Sequence, residues 1–381
     1  MPHPSESVVR TTRRSVIQAA ALAAVGIPTW ATAQSENWRI GQSAPFAGPL
    51  AYPFVESRRG IAAAFKEVND KGGIDGRMVE LFSMDDGGDP AKAAENTKKL
   101  IEKDQVFCMF AGGGTASVMG SLKVSMPAKV PQIAPGSGSD ALRAFNPLIF
   151  HTRASYSQEL GKIAKQLSST GFTKIAIPYF DDPFGKTAIA TFEAAAKIHK
   201  NTDWKPFLVE NSAEGVKRAV DEIVAFQPTA LMSFAVGPLG VPMFKELRSR
   251  IKATAFAISF LGSKPLMEAL GEAAVGLTVA QVVPHPRYSA LPVVQAYQVA
   301  LKKLDGTEPN YSSLEGYINA RILVEGLRRT GRNGNREKLI EAMQTMRPYD
   351  LGGFEVSYSP TNHIGSDFVE LSYYNGEKYR R

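Results

Sequence analysis

A single cysteine, Cys108, stands in a chain of 381 residues, so no internal disulfide can form. An exported chain without disulfides must rely on a hydrophobic core, and 44% hydrophobic residues supply one. Cys108 lies in "VFCMF", the setting of a buried core thiol. The five histidines, His3, His151, His199, His285 and His363, show no metal-ligand spacing. No G-x-S-x-G elbow occurs, and nothing proposes a nucleophile–base pair. Basic residues are not clustered with aromatics, which argues against nucleic acid. No apolar run is long enough to be a retained membrane span.

Two glycine-containing stretches fail as nucleotide sites. "DDPFGKTAIA" places Gly185-Lys186-Thr187 after a strand, but Phe180 stands where a phosphate loop needs its first glycine. Asp181 and Asp182 would repel phosphate, and Pro183 has no N–H to donate. "AGGGTAS" has Ser117 where a dinucleotide fingerprint needs a third glycine. No cofactor and no metal is called for.

The N-terminus reads as a separate object. Arg10, Arg13 and Arg14 precede an apolar run from Ala19 to Ile27, and the small-x-small triplet Ala31-Thr32-Ala33 follows. That is the pattern of an export signal over residues 1–33, cleaved near Ala33, and it implies a periplasmic protein. "TRRSVI" resembles a twin-arginine signal, with an ordinary secretory leader as the alternative. The formal net charge is +7, and removing the leader's three Arg and one Glu leaves +5.

Beyond the leader, near-continuous apolar strands alternate with helical patterns. "WRIGQSA", "MVELFSM", "VFCMF", "KIAIPYF", "TALMSFAV", "AFAISF" and "GLTVAQVV" read as strands. The first helix is expected over Glu56–Lys71, with Ile61, Ala64, Phe65 and Val68 on one face. Such alternation predicts an α/β fold with parallel sheets covered on both faces. Helices near 290–304, 312–330 and 335–346 follow, and two antiparallel-looking strands, "GGFEVSYS" and "DFVELSYY", end the chain.

Three aspartates crowd the stretch "MDDGGDP". Asp89 precedes Pro90, where an N-cap belongs, and Gly87-Gly88 make the turn. The alternating ligands of a calcium loop are missing. Asp85 and Asp86 end a strand, and strand C-termini face the cleft in α/β sheets. A better ligand site is the loop Gly112-Gly113-Gly114, where Thr115 opens a helix. Free N–H groups and a hydroxyl there suit a carboxylate. "APGSGSDAL" offers Gly136, Ser137 and Ser139 at the next strand end. The alternative for both loops is a pair of tight turns with ordinary caps.

Taken in order, "IGQSAPFAGPLA", the block from Gly60 to Gly113, "VPQIAPGSGSDAL", "KIAIPYFDDPFGKTA" and "GEAAVGLTVAQVVPHP" resemble the type I periplasmic solute-binding proteins of ABC transporters, the leucine/isoleucine/valine-binding group. The resemblance implies two doubly wound α/β lobes with parallel-sheet cores, joined by three crossings near Tyr156, Val283 and Gly365. Lobe 1 would comprise 34–156 and 284–364, and lobe 2 would comprise 157–283 and 365–381. It implies that Gly114 and Thr115 meet a ligand carboxylate, that Gly136–Ser139 form a second polar loop, and that Phe184 is an aromatic contact. The aspartate turn would be scaffold.

Two departures bear on the ligand. The hydroxyl that amino-acid receptors of this family place in the second loop falls on Gly138, with Ser139 as a substitute. The acid that holds the ligand ammonium falls on or near Phe260, with Glu268 or Glu272 as other sources of charge. Tyr52, Phe54, Tyr156, Phe184 and Phe260 could make an aromatic-rich pocket, or simply pack the core. Arg153 could bind a carboxylate or form an interlobe salt bridge. The expected function is a monomeric, non-enzymatic receptor that hands a small carboxylate, aromatic or apolar and lacking an amino group, to an inner-membrane ABC permease and its ATPase. A branched-chain amino-acid receptor, a ligand-sensing module for a membrane signalling partner and an exported hydrolase are the competing classes.

Overall fold

The computed structural model describes residues 1, 37–48, 51–287 and 290–380. The expected export leader lies almost wholly in residues outside these. Among the described residues no helix is long and apolar enough to cross a membrane.

Residues 37–380 build two sheets. The first holds β1 (Trp38–Ala44), β2 (Val79–Asp85), β3 (Cys108–Phe110), β4 (Gln132–Ile133) and β5 (Ile149–Phe150), in the order β2-β1-β3-β4-β5 and all parallel. Its connections are α1 (Tyr52–Asn69), α2 (Pro90–Glu102) and α3 (Thr115–Ser125). The reversal of strand order at β1 puts the β1, β3 and β4 loops at a switch point, where such sheets bind ligands.

α4 (Tyr156–Ser169) leads into the second sheet. There β6 (Lys174–Phe180), β7 (Asp203–Val209), β8 (Ala230–Met232), β9 (Thr254–Ala257) and β10 (Thr278–Gln281) are parallel, linked by α5 (Pro183–His199), α6 (Ala213–Phe226), α7 (Gly240–Arg250) and α8 (Lys264–Leu270). The chain then returns to the first lobe as α9 (Pro292–Leu304), α10 (Tyr311–Thr330) and α11 (Arg336–Gln344), followed by the small hairpin of β11 (Tyr349–Asp350) and β12 (Glu355–Val356). It ends as β13 (Glu370–Tyr374) and β14 (Tyr379–Arg380), antiparallel additions beside β10. The chain thus passes between the sheets three times, after β5, after β10 and before β13.

Each lobe has its own core. Trp38, Ile40, Phe110 and Phe150 of the first sheet pack with Tyr297, Tyr317 and Leu323 of α9 and α10. The second sheet is covered by one cluster around Val220, Leu231 and Leu247 and another around Ile163, Ile177 and Phe192. Cys108 is a fully buried thiol whose pKa is pushed up to about 12 by burial.

Four local expectations are corrected. α1 starts at Tyr52 rather than Glu56, because Pro53 fits the first turn of a helix. The apolar run "TALMSFAV" forms a strand only over Ala230–Met232, with one further bridge from Phe234 to Tyr179 of β6. The two C-terminal strands do not pair with each other: β12 joins β11, and β13 joins β10. β7 was not legible, since it is an edge strand with Pro206 in it and with Leu208 facing solvent.

Candidate functional site

The aspartate turn is built around a buried carboxylate. Asp86 accepts hydrogen bonds from Ser43 Oγ at 2.8 Å, Ser117 Oγ at 3.0 Å and the Gly88 N–H at 2.8 Å. It therefore ties the end of β1, the first turn of α3 and its own turn into one piece. Burial raises its pKa in spite of these donors. Asp85 accepts from the Phe46 N–H at 2.7 Å, which lowers its pKa. Asp89 caps α2 through the N–H groups of Ala91 and Lys92 at 2.7 and 2.8 Å. All three hold loops in place.

The loop they hold is the glycine loop. Gly114, at φ 76°, is the N-cap of α3 and offers no side chain to the first-turn N–H groups. Those groups have no carbonyl partner within a helix. They open on a cavity of about 180 Å³ walled by Gly113, Gly114, Thr115, Tyr156, Phe184 and Phe260, among others. Thr115 Oγ1 lies 3.0 Å from Ser137 Oγ, which also accepts the Ser139 N–H at 3.2 Å. Ser137 and Ser139 are fully buried and line none of the cavities described here. Ser137 acts on the site through Thr115 and through the Tyr156 hydroxyl, and the Ser139 hydroxyl has no hydrogen-bond partner among the described residues.

Aromatic rings close this cradle from both lobes. Phe54 of α1 lies 5.8 Å from Phe260, centroid to centroid, and Phe260 lies 5.8 Å from Phe184. Phe184 meets Tyr156 edge-on at 5.7 Å. The Phe54 ring fits because the loops beneath it are glycine: a Cβ on Gly113 would stand 2.7 Å from it, and one on Gly136 would stand 3.0 Å away. Tyr156 is buried, and burial raises the pKa of its hydroxyl.

Asp182 is the acidic side chain of the cradle wall. It caps α5 by accepting the Gly185 N–H at 2.7 Å, and burial raises its pKa. Glu268 and Glu272 do not supply charge to the cleft. Both are exposed, Glu268 pairs with Lys264, and neither lines a cavity described here.

Arg153 sits on the first crossing and joins the lobes. Its guanidinium reaches Glu159 of α4 at 3.4 Å and Glu315 of α10 at 3.6 Å, and it donates to Ser259 Oγ. It also walls a small cavity of about 30 Å³ with Gly136, Phe260 and Asn319. Burial pushes its pKa down, but the two carboxylates outweigh that and raise it. Glu159 is fully buried, and its pKa is raised to about 7. Burial dominates there, opposed by Arg153 and by the Ser259 N–H at 2.7 Å. Of the aromatic residues singled out in the sequence, Tyr52 stands apart from the cradle, half-exposed on the wall of a larger cavity. Glu159, Ser259 and Glu315 were not legible as partners of Arg153, since no local spacing links them.

The model of the periplasmic binding protein family matches residues 37–371. The chain belongs to that family. A Leu/Ile/Val-binding protein homolog from Brucella abortus is 26% identical over 336 residues, covering 81% of each chain. The crystal structure of a possible leucine/isoleucine/valine-binding protein from Rhodopirellula baltica superposes with a TM-score of 0.85 at 25% identity, over 91% of this chain and 96% of that one. A solute-binding protein of an ABC transporter from R. palustris, in complex with benzoate, superposes with a TM-score of 0.79 at 19% identity, over 90% and 95%. The fold is that of the type I periplasmic binding proteins.

Proposed function

We propose that this periplasmic binding protein is exported, loses its leader near Ala33, and captures a small carboxylic acid without an α-amino group for delivery to an ABC permease and its ATPase. The observation that carries the ligand class is Phe260 on the cradle wall, in ring contact with Phe54 and Phe184. The first turn of α3 and Thr115 suit a carboxylate, while position 260, where amino-acid receptors of this family are expected to carry the acid, presents a ring, and Asp182 on the same wall is engaged in capping α5. An ammonium there would forgo a charge-assisted hydrogen bond worth about 1.5–3 kcal/mol. Cation–π attraction would return only part of that, about 0.5–2 kcal/mol. The contacts proposed are Gly114, Thr115, Tyr156, Phe184 and Phe260, with Ser137 and Ser139 shaping the loop. Gly136, Arg153 and Tyr52 line adjoining space. The benzoate-bound R. palustris protein supports the reading as a protein of this fold that holds an aromatic acid.

A second reading keeps the amino group. Asp182 lines the cradle and could face an ammonium, which would make the protein an amino-acid receptor. Calorimetry separates the two: titrate leucine, valine and phenylalanine against benzoate and its derivatives. Tight binding of a branched-chain amino acid with every amino-free acid silent would overturn the proposal. Ligands recovered unchanged after incubation would distinguish a receptor from a hydrolase.

A further inference from the structure

The cleft continues past the cradle. A cavity of about 770 Å³ lies beyond Phe260, against about 180 Å³ for the cradle itself. Phe260 and Val236 belong to both walls, so the two spaces adjoin there. The larger chamber runs from Tyr52 of α1 into the second lobe, where Phe244, Phe256, Leu270 and Leu277 line it. Those four side chains also belong to the buried part of the second lobe. Its charged wall residue, Glu56, is engaged by Arg59 and by Asn310 Nδ2 at 2.7 and 2.8 Å. Among the polar residues of its wall, Ser233, 8% exposed, has a buried hydroxyl with no hydrogen-bond partner among the described residues.

An apolar space of this volume is a ligand-sized pocket, and a benzoate-sized acid seated on α3 would leave it unfilled. We infer that the ligand is an elongated amphipathic acid. Its carboxylate occupies the cradle, its apolar body passes Phe260 into the chamber, and one oxygen on that body meets Ser233. The inference rests on the carboxylate-receptor reading and adds the length and polarity of the ligand.

The test is calorimetry of straight-chain acids from butanoate to decanoate, with benzoate alongside. Affinity should rise about three- to fourfold per methylene until the chamber is full. Val241 lines the chamber and not the cradle, so Val241→Trp should keep benzoate affinity and abolish the gain with length. If benzoate binds and affinity is flat with chain length, the chamber inference falls while the carboxylate reading stands. A gain with length that survives Val241→Trp in a folded variant, checked by its melting transition and repeated with Leu266→Trp, also overturns it. If leucine binds and no amino-free acid does, both readings fall together. Among hydroxydecanoates, at least one isomer should bind more tightly than decanoate, and Ser233→Ala should erase that difference. No such isomer would remove Ser233 from the proposal. The wild-type series decides the length question without any variant.

Discussion

A Cβ on Gly138 would stand 2.6 Å from Cδ1 of Tyr156, so this ring and a side chain at 138 exclude one another. The second loop therefore cannot carry the hydroxyl that amino-acid receptors of this family are expected to place there. Gly138→Ser should destabilise the protein by about 1–3 kcal/mol through overpacking. The measurement is the urea midpoint at unchanged slope. Combining it with Tyr156→Ala should cost less than the sum of the two single changes. Additivity would mean that the ring moves aside freely.

Thr115 is tested by removing its hydroxyl and keeping its shape. Thr115→Val should weaken carboxylate binding by about 1–3 kcal/mol. Stability should change little, because Ser137 Oγ keeps the Ser139 N–H. Wild-type affinity for every acid that binds would take Thr115 out of the site.

The sequence carried the scaffold further than the site. β6 was legible to the residue, because a parallel strand buried on both faces is a near-continuous apolar run; β1 was legible to the residue too, although Gln42 and Ser43 are buried in it beside Trp38 and Ile40. Asp89 was legible as a cap from Pro90 alone. Asp86 was harder: its carboxylate is satisfied by Ser43 and Ser117, which lie on other elements. The same holds for the pairing of Phe54 with Phe260 and of Arg153 with Glu315. These contacts cross between lobes, and neither helical nor strand periodicity reports them. The chamber is the extreme case. It is space left between elements, and its apolar wall residues such as Phe244, Phe256, Leu270 and Leu277 read in sequence as ordinary core residues.

Glu159 gives a pH dependence of defined sign. Burial, aided by the charge of Glu315, raises its pKa from 4.5 to about 7 in the folded protein, against the pull of Arg153. A raised carboxyl pKa means that the unfolded chain releases this proton first as pH rises. The contribution of Glu159 to stability is therefore full below pH 4.5 and is lost progressively as pH climbs to about 7. Glu159→Gln removes that slope. Denaturation at several pH values should show wild-type stability falling relative to the variant across this window. Parallel curves would show that Glu159 titrates normally.

Arg153 and Glu315 set the last prediction. The guanidinium sits on the first crossing, anchored to the second lobe through Glu159 and Ser259, and reaches Glu315 of the first lobe at 3.6 Å. Phe54 and Phe260 meet across the same cleft. Three chain crossings allow the lobes to swing as rigid bodies, and opening must break both contacts. A ligand held by both lobes then draws the protein toward the closed form. Small-angle scattering should show a smaller radius of gyration with saturating benzoate, or with any acid that calorimetry shows to bind. Glu315→Gln leaves Arg153 its other carboxylate, so the folded lobes survive. It weakens the tie across the cleft by about 1 kcal/mol, since Glu315 is partly solvated. The ligand-free variant should be more open than wild type, the saturated radius should be the same, and affinity should fall by up to about fivefold, the closed form being less populated. A radius unchanged by a ligand that demonstrably binds would rule out hinge closure. A variant with the wild-type radius in the free state would instead show that Arg153–Glu315 does not hold the lobes together.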